Sequence, residues 1–220
     1  MNTIKAVIFD LDDTLLDRRQ TMEKLAHRLA KEYAAYLEEG RHVLERIVHL
    51  DWHGAVEQRH VFAAYIDQLP WKQHPEDQHL LEFCQQQYAQ CAVLTHQAKE
   101  TLQYIHQRYR TALLTNGQAD LQHQKLAQMG IRDELDRVLT AEEAGTAKPD
   151  VRIFYQAAEQ LQVDPADCMY VGDHAISGIG GAIQAGMQTV WIRQHLGPRD
   201  AKHVQPTHTI DTIAELGKLL

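Results

Sequence analysis

Two aspartates, Asp10 and Asp12, stand directly behind the apolar run Ala6-Val7-Ile8-Phe9. Such a run reads as a strand buried on both faces, so its abrupt polar stop sets two carboxylates at a strand end. On a true strand, residues two apart point the same way; where the strand breaks into a loop, the second can swing to face a substrate held by the first. Alone, D-x-D is a weak signal, because acidic pairs commonly cap helices or solvate loops. Three later segments change its weight. Thr115-Asn116-Gly117 closes a second apolar run, Lys148 precedes Pro149 in a loop, and Asp173 follows Val171-Gly172. Clustered carboxylates such as Asp10, Asp12 and Asp173 repel one another unless something positive sits among them. All-oxygen ligands at a wet strand end suit a hard divalent cation, and Mg2+ is the natural candidate. A lysine at the same rim adds a second positive charge, and a threonine with nearby loop amides adds hydrogen bonds. That assembly suits a phosphoryl group whose oxygens gain charge as it transfers.

The elements that must position these residues follow from the periodicity. After the first strand, Met22, Leu25, Ala26, Leu29, Ala30, Tyr33 and Leu37 recur at helical spacing, as do Phe62, Tyr65, Ile66 and Leu69 before Pro70, so 17–92 reads as all helical. Beyond residue 92 helix and strand alternate. Strands are predicted at Thr111–Thr115, Arg137–Thr140, Cys168–Val171, Thr189–Ile192 and His208–Ile210. Between them lie helices on Ala98, Leu102 and Ile105, on a stretch ending near Met129, on Phe154, Ala157, Ala158 and Leu161 with Asp150 as N-cap, and on a small-residue stretch to Ala185. Asp211 is the expected cap of a terminal helix. Strands joined by helix-length crossovers imply an α/β fold with a Rossmann-like parallel sheet and helices on both faces. The core is then 1–16 plus 93–220, with 17–92 inserted outside it. In open sheets of this kind ligands bind beyond the carboxyl ends of the strands, where the singled-out residues stand.

At 220 residues, with 44% hydrophobic and 24% charged, the chain has enough apolar material for a core without staples, which excludes disorder as its main state. A net charge of −8 argues against binding nucleic acid polymers or anionic membranes, so any anionic ligand must be held locally. Cys84, Cys91 and Cys168 lack metal-ligand spacing and read as reduced thiols. With no leader-like start and no run near the ~18 apolar residues of a membrane span, the expectation is a soluble, cytoplasmic protein, monomer or homodimer.

Taken together, Asp10-Leu11-Asp12-Asp13-Thr14, Leu114-Thr115-Asn116-Gly117, Lys148-Pro149 and Val171-Gly172-Asp173 resemble the four motifs of the haloacid dehalogenase superfamily. The branch is that of phosphatases with a helical cap inserted after the first motif. Four motifs in order are far more specific than any one. The resemblance implies Asp10 as nucleophile forming an aspartyl phosphate, and Asp12 as the acid and base that moves protons. It implies Mg2+ on the Asp10 carboxylate, the Asp12 carbonyl and Asp173, with Thr115, the amides of Asn116 and Gly117, and Lys148 on the phosphate. The partner would be a small phosphorylated metabolite of sugar phosphate, nucleotide or phosphoglycolate type. There is one departure: relatives often carry another acid where this chain has Gly178, so weaker metal binding or looser support of Lys148 is expected.

Other readings compete. A dehalogenase does not need the acid at Asp12; a phosphomutase must shield its phosphoenzyme from water; a signalling receiver uses a long-lived phosphoform; a catalytically weakened phosphate-binding protein is the remaining option. Arg18 and Arg19, just past motif one, could reach the nonreacting end of a substrate. Trp52, Phe62 and Trp71 read as core packing. His49 and His53 have the spacing of a helical ligand pair but no third ligand in support. Gly178-Ile179-Gly180-Gly181 lacks a full dinucleotide fingerprint and reads as close helix packing.

Overall fold

The structure, a computed structural model, describes residues 3–38, 42–50, 58–193 and 204–220. The chain divides into two compact units, Met1–Leu16 with Leu94–Leu220, and Asp17–Val93. Strand β1 (Ala6–Phe9) opens the first unit, and all four of its side chains are buried, as expected of an apolar run covered on both faces.

The unit Asp17–Val93 is helical: α1 (Arg18–Glu32), α2 (His42–Leu50), α3 (Gln58–Gln68) and α4 (Asp77–Gln90). Asp17 caps α1 by accepting from the Gln20 amide at 2.8 Å. Met22, Leu25, Ala26 and Leu29 turn inward from α1, as the periodicity predicts, and Phe62 meets Tyr88 of α4 with ring centroids 5.9 Å apart. Trp71 is half-buried and its indole N–H donates to the Ile66 carbonyl at 2.9 Å, which makes it a packing residue. Trp52 and His53 lie outside the described residues.

The other unit continues with α5 (Ala98–His106), β2 (Arg110–Thr115), α6 (Ala119–Met129), β3 (Arg137–Thr140), α7 (Ala141–Ala144), α8 (Val151–Leu161), β4 (Cys168–Gly172), α9 (Gly181–Gln184), β5 (Gln188–Ile192) and β6 (His208–Ile210). The six strands form one parallel sheet in the order β3-β2-β1-β4-β5-β6. β1 lies between β2 and β4, with Phe9 in register with Leu113 and Val171. Ile153, Phe154, Ala157, Ala158 and Leu161 of α8 pack on Ile8, Ala112, Leu114 and Tyr170. Each large apolar side chain buried there contributes about 1.5–3 kcal/mol. Cys84, Cys91 and Cys168 are free and buried, and burial pushes the Cys84 and Cys168 thiols up to about 12. No helix among the described residues is long and apolar enough to cross a membrane.

Two local expectations are corrected. The stretch after Asp173 is not one α-helix: Ala175–Gly180 forms a π-helical turn before the single turn of α9. The backbone here lies close to aromatic rings. A Cβ on Gly181 would stand 2.5 Å from the Phe154 ring, and one on Gly178 would stand 3.0 Å from the Tyr170 hydroxyl, so the glycines let the backbone lie against two aromatic rings. At the chain's end, Thr212 and not Asp211 caps the 3-10 helix Ile213–Lys218, in a capping box with Glu215. The Asp211 carboxylate is engaged instead by Arg193 at 2.8 Å.

Candidate active site

The parallel register fixes where the chemistry stands. β1, β2 and β4 end side by side, so Asp10, Thr115 and Asp173 leave the sheet at one rim. The main chain of Asp10 still belongs to the sheet, donating to the Val171 carbonyl at 2.9 Å. Its side chain is 11% exposed and held from several directions. Oδ1 accepts from the Leu11 amide at 2.8 Å and pairs with Lys148 Nζ at 2.7 Å. Oδ2 accepts from the Tyr170 hydroxyl at 3.2 Å.

Beyond Asp10 the chain turns sharply. Asp13 adopts φ 56°, a left-handed conformation that aspartate tolerates better than most residues, and the amides of Leu15 and Leu16 both reach back to the Leu11 carbonyl at 2.9 Å. The turn separates Asp12 from the sheet. Its carboxylate, 28% exposed, pairs with Lys125 Nζ at 2.8 Å, although Lys125 itself is only 2% exposed.

The loop after β2 is built from the inside. Thr115 Oγ1 accepts from Gln122 Nε2 at 2.8 Å, and a Cβ on Gly117 would fall 2.0 Å from that same nitrogen, so a larger residue there would displace the Gln122 amide from Thr115. Asn116 does not turn its side chain outward. It accepts from the Lys148 amide at 2.8 Å and donates to the Lys148 carbonyl at 3.0 Å, clamping the main chain from which the lysine extends. The Lys148–Pro149 bond is cis. Lys148 Nζ, 3% exposed, directs its N–H groups to Asp10 Oδ1 at 2.7 Å, the Leu114 carbonyl at 3.0 Å and the Tyr170 hydroxyl at 3.0 Å. These three acceptors match the three donors of an ammonium group.

Asp173 is half-buried at the end of β4, with its carbonyl accepting from Trp191 Nε1 at 2.7 Å. Burial pushes its carboxyl well above the usual range, and the negative charges of Asp10 and Asp13 push the same way, against a smaller opposing pull from Lys148. Next to it, burial lowers His174, whose Nδ1 accepts from the Ser177 amide at 3.2 Å. Among the described residues, no group of three His, Cys, Asp or Glu side chains is disposed to hold a metal ion. Arg18 and Arg19 belong to the other unit. Arg18 is buried on α1, and Arg19 is exposed and paired with Glu23 at 3.0 Å.

Sequence reasoning missed Gln122, Lys125 and Tyr170. The first two share the inward stripe of α6 with Leu126 and Met129, all four buried. Two polar residues on an apolar stripe were a readable sign, because a buried amide or ammonium needs a partner. Tyr170 gave no such sign, since a tyrosine in an apolar strand ordinarily reads as packing.

Comparison with known proteins shows the family and the fold. The family model described as haloacid dehalogenase-like hydrolase matches residues 4–186. Pyrimidine 5'-nucleotidase YjjG of Escherichia coli (strain K12) is 36% identical over 124 residues, which is 56% of this chain and 55% of that protein. The chain therefore spans about half the length of that curated relative. N-acylneuraminate-9-phosphatase of Rattus norvegicus is 28% identical across 100% of this chain and 95% of its own. Among solved structures, HAD-hydrolase YfnB from Bacillus subtilis superposes with a TM-score of 0.80 at 20% identity, covering 100% of this chain and 99% of that one.

Proposed function

Since the chain belongs to the haloacid dehalogenase-like hydrolases, we propose that it is a phosphomonoester hydrolase working through an aspartyl phosphate on Asp10. The observation that carries this reading is the buried Lys148 ammonium 2.7 Å from Asp10 Oδ1, which fixes a carboxylate at the end of the central strand while Asp12 stands two residues on. The Asp10 carboxylate attacks phosphorus in line with the leaving alcohol. The new O–P bond forms as the ester P–O bond breaks, and Asp12 delivers a proton to the departing oxygen. Asp12 then takes a proton from water as that water attacks phosphorus, and the acyl phosphate P–O bond breaks to return Asp10. The Thr115 hydroxyl and the amides of Asn116 and Gly117 donate to the phosphoryl oxygens.

The site suits Mg2+. Its donors are all oxygen, and the Asp173 carboxyl, raised by burial and further by the charges of Asp10 and Asp13, would be favoured in its ionised form by a divalent cation. Asp10 and Asp173 would hold the ion with the Asp12 carbonyl, a set of two carboxylates and a main-chain oxygen. Bound there, the ion supplies Lewis acidity to a phosphate oxygen.

Support for a small phosphorylated metabolite as substrate comes from the relatives, whose names specify nucleotidase, N-acylneuraminate-9-phosphatase and glyceraldehyde 3-phosphate phosphatase activities. The helical unit is proposed as the cap that selects among such esters. The presence of Asp12 favours a phosphoester over a carbon–halogen bond as the bond broken, because a departing alkoxide needs a proton and a departing halide does not. The test is release of phosphate from p-nitrophenyl phosphate with Mg2+. Asp10→Asn should abolish it, and an unchanged rate in that variant would remove the nucleophile from the reading.

A further inference from the structure

We propose that Tyr170 is a positioning residue for the Lys148–Asp10 pair, and that Gly178 is the vacancy that admits its hydroxyl. The inference rests on the proposed phosphatase reading for its kinetic test but on geometry for its substance. Tyr170 is fully buried in β4, a strand whose other side chains are apolar. A buried phenol needs a partner at its oxygen. This one has two, accepting from Lys148 Nζ at 3.0 Å and donating to Asp10 Oδ2 at 3.2 Å. It closes a ring with the ion pair, in which each member touches the other two. The Phe154 ring meets the tyrosine ring edge-on, with centroids 5.3 Å apart, so the phenol cannot swing away without leaving a packed cluster.

The space for that hydroxyl comes from glycine. A Cβ on Gly178 would lie 3.0 Å from the Tyr170 oxygen and 3.1 Å from Cε1, and one on Gly172 would lie 2.9 Å from the same Cε1. The π-helical turn that carries Gly178 thus passes directly over the phenol. A side chain at 178 would press on the Tyr170 hydroxyl and oblige the phenol to give by a few tenths of an ångström. The phenol thus supports Lys148 from within the sheet, and in a chain without that phenol an acid placed on the turn at 178 is an independent way to supply such support. Unlike a carboxylate, the phenol adds no negative charge beside Asp10 and Asp173.

The test uses the whole protein with p-nitrophenyl phosphate and Mg2+, comparing Tyr170→Phe, Tyr170→Ala, and Tyr170→Ala combined with Gly178→Asp. Tyr170→Phe keeps the ring and removes only the two hydrogen bonds, so kcat should fall about tenfold with KM within about twofold. In a crystal structure of that variant Lys148 Nζ should move out of contact with Asp10 or occupy several positions. The double variant should turn over about tenfold faster than Tyr170→Ala, with the new carboxylate within ion-pair distance of Nζ. A purely structural tyrosine predicts lowered melting temperatures and no such rescue. An unchanged kcat and an unmoved Nζ in Tyr170→Phe would overturn the inference, even if the alanine variants failed to fold. Should wild type leave the ester intact, the phosphatase reading fails, and the position of Nζ still decides this one.

Discussion

Replacing Lys148 by methionine tests the frame on which the rest of the site depends. The side chain is 3% exposed and supplies an ammonium proton to each of Asp10, Leu114 and Tyr170. Methionine fills similar volume but leaves the Asp10 carboxylate, with a side chain 11% exposed, beside Asp173 without its cation. Breaking a buried pair by removing one partner costs about 3–5 kcal/mol. The lower end applies because Asp10 retains the Leu11 amide at 2.8 Å and the Tyr170 hydroxyl at 3.2 Å. In a chain of this size about 3 kcal/mol corresponds to a drop of roughly 6–12 °C in Tm. Loss of one fixed donor aimed at developing charge lowers kcat about 100- to 1,000-fold. Calorimetry without metal and steady-state hydrolysis of p-nitrophenyl phosphate measure the two effects separately. Lys148→Arg provides the control, since it keeps the charge but cannot present three donors as a tripod, so its Tm should recover more than its kcat. A Lys148→Met protein that melts within about 1 °C of wild type would refute the premise that this ammonium is what offsets the carboxylates. Equal recovery of stability and turnover in the arginine variant would refute the claim that donor geometry matters beyond charge.

Asp173→Asn should raise stability and remove the metal response together. In EDTA the variant escapes repulsion worth roughly 1 kcal/mol and should melt about 2–4 °C above wild type, because the crowded carboxyl is held well above its usual range by burial and by Asp10 and Asp13. Added Mg2+ should raise the wild-type Tm and leave the variant's unchanged; a variant less stable than wild type in EDTA contradicts the argument. Asp150, the N-cap of α8, is held down at about 2 by hydrogen bonds from the side chain and amide of Arg152. Because its folded value lies below the ordinary ~3.9, its contribution is present above that pH and is lost as pH falls toward 2. The urea midpoint difference between wild type and Asp150→Ala should therefore hold from neutral pH to about pH 5 and shrink below about pH 4; a difference that grows on acidification reverses the sign.

The residues at strand ends were legible because an apolar run that stops in acid is a local pattern, and a parallel sheet brings such stops to one rim. β1, β2 and β4 end at Asp10, Thr115 and Asp173 as the alternation of strand and helix implied. Supporting residues were less legible for a physical reason: their role is set by what lies across from them. Nothing in Gln122 or Lys125 alone says that one reaches Thr115 and the other Asp12. The terminal cap shows the same limit. Asp211 and Thr212 are both good cap residues, and only the competing Arg193, 2.8 Å from the Asp211 carboxylate, decides between them.

Charge is divided unevenly across the rim. Asp10 and Asp12 each have a buried ammonium of their own, and the two come from different elements: Lys148 from the loop before α8, Lys125 from α6. Asp173 has none within ion-pair distance among the described residues, and Lys148 reaches it only as a weaker, longer-range attraction. Two acids are therefore each held by a protein cation, while burial, together with the charges of Asp10 and Asp13, pushes the Asp173 carboxyl up. Within that division the Tyr170 hydroxyl steadies the Lys148–Asp10 pair without adding charge, since it accepts from one member and donates to the other.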